Sequence, residues 1–241
     1  MNILCIGNSF SQDATRYLHQ ISDERLFVRN LYIGGCSLEM HYNNIVEEKA
    51  DYEYQKNGRR LKMISINEAL TKKKWDYITI QQVSQFSGME ETYEPYITKI
   101  IDFIKEKCPN AKIAFHSTWA YDDKSDHFGF AYYNNDRKKM YNAILEAGGN
   151  IAKRHNLEII RNTEAIELAR ELDEFKNGGP LNINRDGFHL SLDYGRYLAG
   201  LTMFGFFTGD DPTSVTYEPE DTSAKINKKL KEIAKRVSAK A

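Results

Sequence analysis

Short apolar runs alternate with amphipathic segments along most of the chain. Residues 2–7, "NILCIG", are an apolar run that stops at a glycine, the pattern of a buried strand. "LFVRNLYI", "DYITIQQ", "AKIAFHS" and "LEIIRN" read as four further strands. A helix is expected from about Ser11 to Ile21. In "TYEPYITKIIDFIKEKC", Tyr96, Ile97, Ile100, Ile101 and Ile104 share one helical face, and Pro95 suits a first turn. Met140, Tyr141, Ile144, Leu145 and Ile151 form a second such face, and Tyr194, Tyr197, Leu198, Leu201 and Phe204 a third. Strands separated by amphipathic helices and joined by right-handed crossovers predict an α/β fold. The expected architecture is a three-layer α/β/α sandwich around a mainly parallel five-stranded sheet.

Two stretches depart from this alternation. In "YEYQKNGRRLKMISI", Asn57-Gly58 lies between two extended runs and signals a hairpin turn, so a small β-hairpin insertion is expected at about 51–67. The stretch from about 220 to 241 follows an acidic, proline-containing linker and reads as a basic helical tail, expected to be a solvated face. The length of 241 residues suits one domain spanning 1–241.

Composition narrows the class. Hydrophobic residues make up 41% and charged residues 28%, enough apolar material for a core inside a soluble protein. The formal net charge of −1 argues against nucleic acid or an anionic membrane as partner. No apolar stretch is long enough to span a membrane. The chain opens directly on a strand-like segment with no signal peptide, which fits a cytoplasmic protein or a secreted or periplasmic form whose leader has been removed. Cys5, Cys36 and Cys108 are too few and too scattered for a disulfide framework or a zinc site, so no metal or cofactor is expected.

Candidate chemistry gathers where strands end, because ligands of open α/β sheets bind beyond the carboxyl ends of the strands. The first strand closes in Gly7-Asn8-Ser9-Phe10-Ser11, and the second in Ile33-Gly34-Gly35-Cys36-Ser37. The third closes in Gln81-Gln82-Val83-Ser84, and the fourth in His116-Ser117-Thr118-Trp119. Acyl transfer requires a hydroxyl nucleophile, a histidine base, a carboxylate to orient it, and donors aimed at the oxyanion. Ser9 stands on a strand-to-helix turn, and Ser11 is the better-placed helix cap, which frees Ser9 for chemistry. Asp186 and His189 are close enough in sequence for the carboxylate to reach the imidazole. The Ser9 and Gly35 N–H groups and a glutamine amide from the third strand are candidate oxyanion donors.

These blocks resemble the SGNH hydrolases, also called the GDSL esterase and lipase superfamily, and in particular its DUF4886 branch. The resemblance runs from residue 2 to about 207. It rests on Gly7-Asn8-Ser9-Phe10-Ser11, where Asn8 replaces the usual aspartate, on Gly35, and on Asp186-Gly187-Phe188-His189. The usual Gly-x-Asn-Asp block is absent, and "WDYITIQQVSQFSG" stands in its place.

The resemblance implies a flavodoxin-like α/β/α ester hydrolase without a metal. Its triad would be Ser9, Asp186 and His189. Its oxyanion hole would be Ser9, Gly35 and Gln82, with Gln81 and Ser84 as rivals to Gln82. Gln81, Ser84, His116 and Trp119 are the candidate substrate contacts, with Gln85 and Tyr121 beside them. This mixture of aromatic and polar groups suits a carbohydrate or similar small ester that loses an acetyl or other short acyl group. A lipase or thioesterase, or a non-catalytic carbohydrate-binding protein on the same fold, are the alternatives. The sequence gives no oligomeric state.

Overall fold

The structure, a computed structural model, describes residues 1–238; the last three residues of the expected tail, 239–241, lie outside the described residues. Strand β1 (Asn2–Gly7) leads into α1 (Ser9–Thr15) and the short α2 (Leu18–Ile21), and β2 (Phe27–Tyr32) leads into α3 (Leu38–Val46). Then come β3 (Tyr52–Lys56), β4 (Arg59–Ile64), α4 (Ile66–Thr71) and β5 (Tyr77–Ile80). The second half runs through α5 (Tyr96–Lys107), β6 (Lys112–Ser117), α6 (Arg137–His155), β7 (Glu158–Arg161) and α7 (Asn162–Ala169). Helices α8 (Tyr194–Thr208) and α9 (Ala224–Ser238) follow.

The sheet has seven strands in the order β4-β3-β2-β1-β5-β6-β7. β2, β1, β5, β6 and β7 are mutually parallel, as the five apolar runs predict. The hairpin is no separate insertion: β3 pairs antiparallel with β2 and extends the sheet to seven strands. Its turn residues Asn57 and Gly58 have φ of 50° and 74°, the left-handed pair that a tight two-residue hairpin turn needs.

The alternation of side chains along β1 divides the core. Ile3 and Cys5 face one layer with α1, α7, α8 and α9, where Leu18, Leu198 and Phe204 are buried. Leu4 and Ile6 face the other layer with α3, α4 and α5, against Ile97, Ile100 and Ile104. α9 departs from the expected solvated tail. Its lysines lie on one side, while Ile226, Leu230, Ala234 and Val237 are buried in the core shared with α8. Among the described residues, no helix is long and apolar enough to cross a membrane.

The order of the parallel strands reverses at β1: its chain successor β2 lies on one side and β5 on the other. A crevice therefore opens beyond the carboxyl end of β1, the place where such sheets take ligands.

Candidate active site

The turn after β1 is built by Asn8. Its side-chain oxygen accepts from the Phe10 N–H at 3.0 Å and caps α1, so Asn8, not Ser11, is the helix cap. Ser11 lies inside the helix and donates to the Asn8 carbonyl at 2.9 Å. The expected helix also breaks after Thr15 and resumes at Leu18. The Asn8 amide donates to the Cys36 carbonyl at 3.1 Å, which ties the β1 turn to the glycine turn after β2.

This cap sets Ser9 at the first position of α1, where its N–H has no intrahelical acceptor. Ser9 Oγ lies 2.8 Å from His189 Nε2, and His189 Nδ1 lies 2.7 Å from Asp186 Oδ2. Asp186 also accepts from the backbone N–H of His189 at 2.7 Å and of Phe188 at 3.2 Å. Burial works against ionising Asp186, but these hydrogen bonds, that of the His189 ring first, outweigh it and hold its carboxyl below the usual range. The network places the His189 proton on Nδ1 and leaves Nε2 to accept from Ser9.

The loop that carries the Asp186–His189 pair is held from three sides. The Asp13 carboxylate accepts from the Leu190 N–H at 3.0 Å and pairs with Arg185 and Arg196. Trp119 donates from Nε1 to the Phe188 carbonyl at 2.7 Å. The Gly187 carbonyl accepts from the Asp122 N–H at 2.7 Å.

Around Ser9 lies a cleft of about 220 Å³, walled by Gly34, Gly35, Ser84, Gln85, His127 and Phe188 among others. Gly35 has φ of 63°, a left-handed conformation that favours glycine, and nothing occupies the space where a Cβ would stand.

The glutamines of the third strand end have other tasks. Gln82 is buried: its oxygen accepts from the N–H groups of Leu38 and Val83, and its amide donates to Thr92. This corrects the expectation of an oxyanion donor, because the amide is committed to Thr92 and the residue does not line the cleft. Gln81 faces the opposite way, as neighbours beyond a strand do. Its amide donates to Asn8 at 2.9 Å, and its oxygen lies 3.0 Å from His116 Nδ1. Of the three candidates, Ser84 alone lines the cleft, with its Oγ 2.8 Å from the Tyr121 hydroxyl.

His116, Trp119 and Tyr121 are corrected in the same way: all three are buried and none lines the cleft. His116 closes a hydrogen-bonded chain from Asn162 through Gln81 to Asn8, and burial pushes its ring down to about 4. Trp119 stacks on Phe10 at 4.4 Å.

His127 and Phe188 are cleft residues that strand-end reasoning does not find, although Phe188 sits inside the Asp186–His189 block. His127 comes from the long connection between β6 and α6, which carries no strand-end signal. Asp13 had a readable signal: a carboxylate one helical turn after Ser9, on a helix whose other residues are mostly buried.

The comparisons agree with this architecture. A crystal structure of a DUF4886 family protein from Bacteroides uniformis is 34% identical, covers 98% of this chain and 93% of its own, and superposes with a TM-score of 0.89. A member of the lipolytic protein G-D-S-L family from Veillonella parvula shares the fold at 16% identity, with coverage of 86% and 98% and a TM-score of 0.52. So does an acetyl xylan esterase, at 14% identity, coverage of 83% and 96%, and a TM-score of 0.54. No curated protein matches the chain. With its sequence matching over residues 2–240, the chain belongs to the family described as "Domain of unknown function (DUF4886)", and its fold is that of the SGNH and GDSL hydrolases.

Proposed function

We propose that the protein is a serine ester hydrolase that removes acetyl or similarly short acyl groups from a carbohydrate or another small ester. The observation that carries this reading is the unbroken line from Ser9 Oγ through His189 to Asp186, with contacts of 2.8 and 2.7 Å. This is the hydrogen-bonded order that nucleophile, base and orienting carboxylate require.

His189 Nε2 takes the Ser9 proton as Oγ attacks the ester carbonyl. The Ser9 and Gly35 N–H groups stabilise the oxyanion, helped by the positive end of α1. The Ser84 hydroxyl, the one strand-three candidate that lines the cleft, is the third oxyanion donor of this reading in place of Gln82. Collapse of the intermediate breaks the bond to the alcohol oxygen, which receives the proton from His189. Water, deprotonated by the same His189, then attacks the acyl-enzyme, releases the carboxylic acid and restores Ser9.

The small cleft favours a short acyl group over a long chain. The test is hydrolysis of p-nitrophenyl acetate together with labelling by a fluorophosphonate. Both are expected in the wild-type protein and absent in Ser9→Ala; activity retained by that variant would overturn the assignment.

A further inference from the structure

Beside the catalytic cleft, the segment from His127 to Tyr133 turns aromatic faces outward. Phe128 is 68% exposed and Tyr132 50%, unusual values for rings of that size. They form one ledge. The His127 and Phe128 rings stack at 4.7 Å, Phe128 and Tyr132 meet edge to face at 6.4 Å, and Tyr132 stacks on Phe86 at 6.1 Å. The ledge begins inside the cleft, because His127 is one of its walls and packs on Phe188 at 4.9 Å. Phe188 is in turn 4.2 Å from the His189 ring.

Two polar groups along the ledge are unused. His127 Nδ1 accepts from the Gly129 N–H at 3.1 Å, so the ring of neutral His127 carries its proton on Nε2. Burial first, and the nearby His189 second, hold the His127 ring below its ordinary value and favour that neutral form. Among the described residues, neither His127 Nε2 nor the Gln85 side-chain amide has a hydrogen-bond partner, and neither is sealed from solvent. The ledge thus offers ring faces to stack on, a fixed neutral donor in His127, and an adaptable donor and acceptor in Gln85.

From this arrangement we infer that the ledge of His127, Phe128, Tyr132 and Gln85 is the alcohol subsite, and that its occupant is the ring of an acetylated pyranoside. A sugar ring presents an apolar C–H face to aromatic rings and hydroxyls at its rim. An acyl chain would cover the rings but leave His127 Nε2 and Gln85 desolvated without partners, which is costly. The inference rests on the esterase reading, since it divides the ester between a small acyl cleft and this outer ledge.

The test compares an acetylated xylo-oligosaccharide with ethyl acetate, whose alcohol is too small to reach the ledge. Phe128 is exposed, so Phe128→Ala keeps the fold. That variant is expected to lose about tenfold in kcat/KM on the oligosaccharide, mostly through KM, and far less on ethyl acetate. Tyr132→Ala, which removes the second exposed ring of the ledge and leaves the cleft walls intact, is expected to follow the same pattern. A loss in Phe128→Ala that instead grows along p-nitrophenyl acetate, butyrate and octanoate would assign the ledge to the acyl chain and overturn the inference. Calorimetric titration of the deacetylated oligosaccharide separates the ledge from turnover. Weaker binding in Phe128→Ala supports the subsite even if no ester is hydrolysed, and equal binding in wild type and variant refutes it.

Discussion

The Asp13 carboxylate accepts the Leu190 N–H at 3.0 Å, and through that bond helix α1, which carries Ser9, holds the segment that carries His189. Asp13 lies one helical turn after Ser9, and Leu190 directly follows His189. Asp13 is fully buried and offsets its desolvation with Arg185 and Arg196, at 2.9 and 2.7 Å. The 2.8 Å contact between Ser9 and His189 is thus set from behind, by a carboxylate that does not line the cleft. Removing one partner from a buried ionic cluster leaves the rest uncompensated, at about 3–5 kcal/mol. Asp13→Asn is expected to lower the melting temperature and to reduce kcat with little change in KM. The measurement is a thermal melt beside steady-state kinetics, and unchanged kcat in a folded variant would remove Asp13 from the account.

Asn8 is the position where the chain departs from the usual aspartate, and its bonds explain why a neutral amide suits it. The oxygen accepts from Phe10 N–H and Gln81, and the nitrogen donates to the Cys36 carbonyl. An aspartate would keep both acceptor roles and gain about 0.3–1 kcal/mol beside the helix N-terminus. It would also turn a second acceptor toward the Cys36 carbonyl in a buried site, at a cost of about 1–3 kcal/mol. The second effect is the larger, so Asn8→Asp is expected to be less stable in denaturant titration and less active. A variant as stable as wild type would mean that the glycine turn does not depend on this amide.

The parallel strands and the helix faces were legible because burial on both sides writes continuous apolar runs, and one-sided burial writes a helical period. That Ser9, Asp186 and His189 come together was legible because strand ends and short spacing confine them. The glutamines were not. Adjacent residues beyond a strand point to opposite sides, and only the partners decide which side is the cleft: Thr92 for Gln82, Asn8 and His116 for Gln81. Trp119 and Tyr121 looked like rim residues by position, yet the loop carrying Phe188 and the segment around His127 fold over them. That covering comes from contacts distant in sequence and leaves no local trace. The hairpin was read correctly as a turn between strands, but its edge pairing with β2 is again a long-range fact.

The C-terminal helix gives a test of packing rather than chemistry. Its lysines suggest a solvated rod, but Leu230 is completely buried in the core shared with α8. Leu230→Ala is expected to cost about 2–4 kcal/mol, the range for cavities left by buried leucines. The neighbouring exposed Lys228→Ala should change stability by less than about 0.5 kcal/mol. Chemical denaturation of the two variants checks this, and equal midpoints would show that α9 does not contribute to the cooperative core.

The buried His116 beneath the turn that carries Ser9 makes stability depend on pH. Burial pushes His116 from an ordinary value of 6.5 down to about 4, so the folded protein keeps it neutral while the unfolded chain takes up a proton below 6.5. In that window the unfolded state binds more protons, so stability rises with pH and is lost on acidification. His41, buried against Tyr52 and pushed down to about 3, acts in the same direction over the same upper window. Asp186 adds to the loss only at lower pH, because its carboxyl is held below the usual range and its contribution disappears as that carboxyl protonates. The melting temperature is therefore expected to fall between about pH 7 and about pH 5, before Asp186 titrates. The double variant His41→Gln, His116→Gln, less stable at neutral pH, is expected to have a flatter profile over that interval. A wild-type melting temperature that stays constant from about pH 7 to about pH 5 would show that these histidines are not held neutral by the fold.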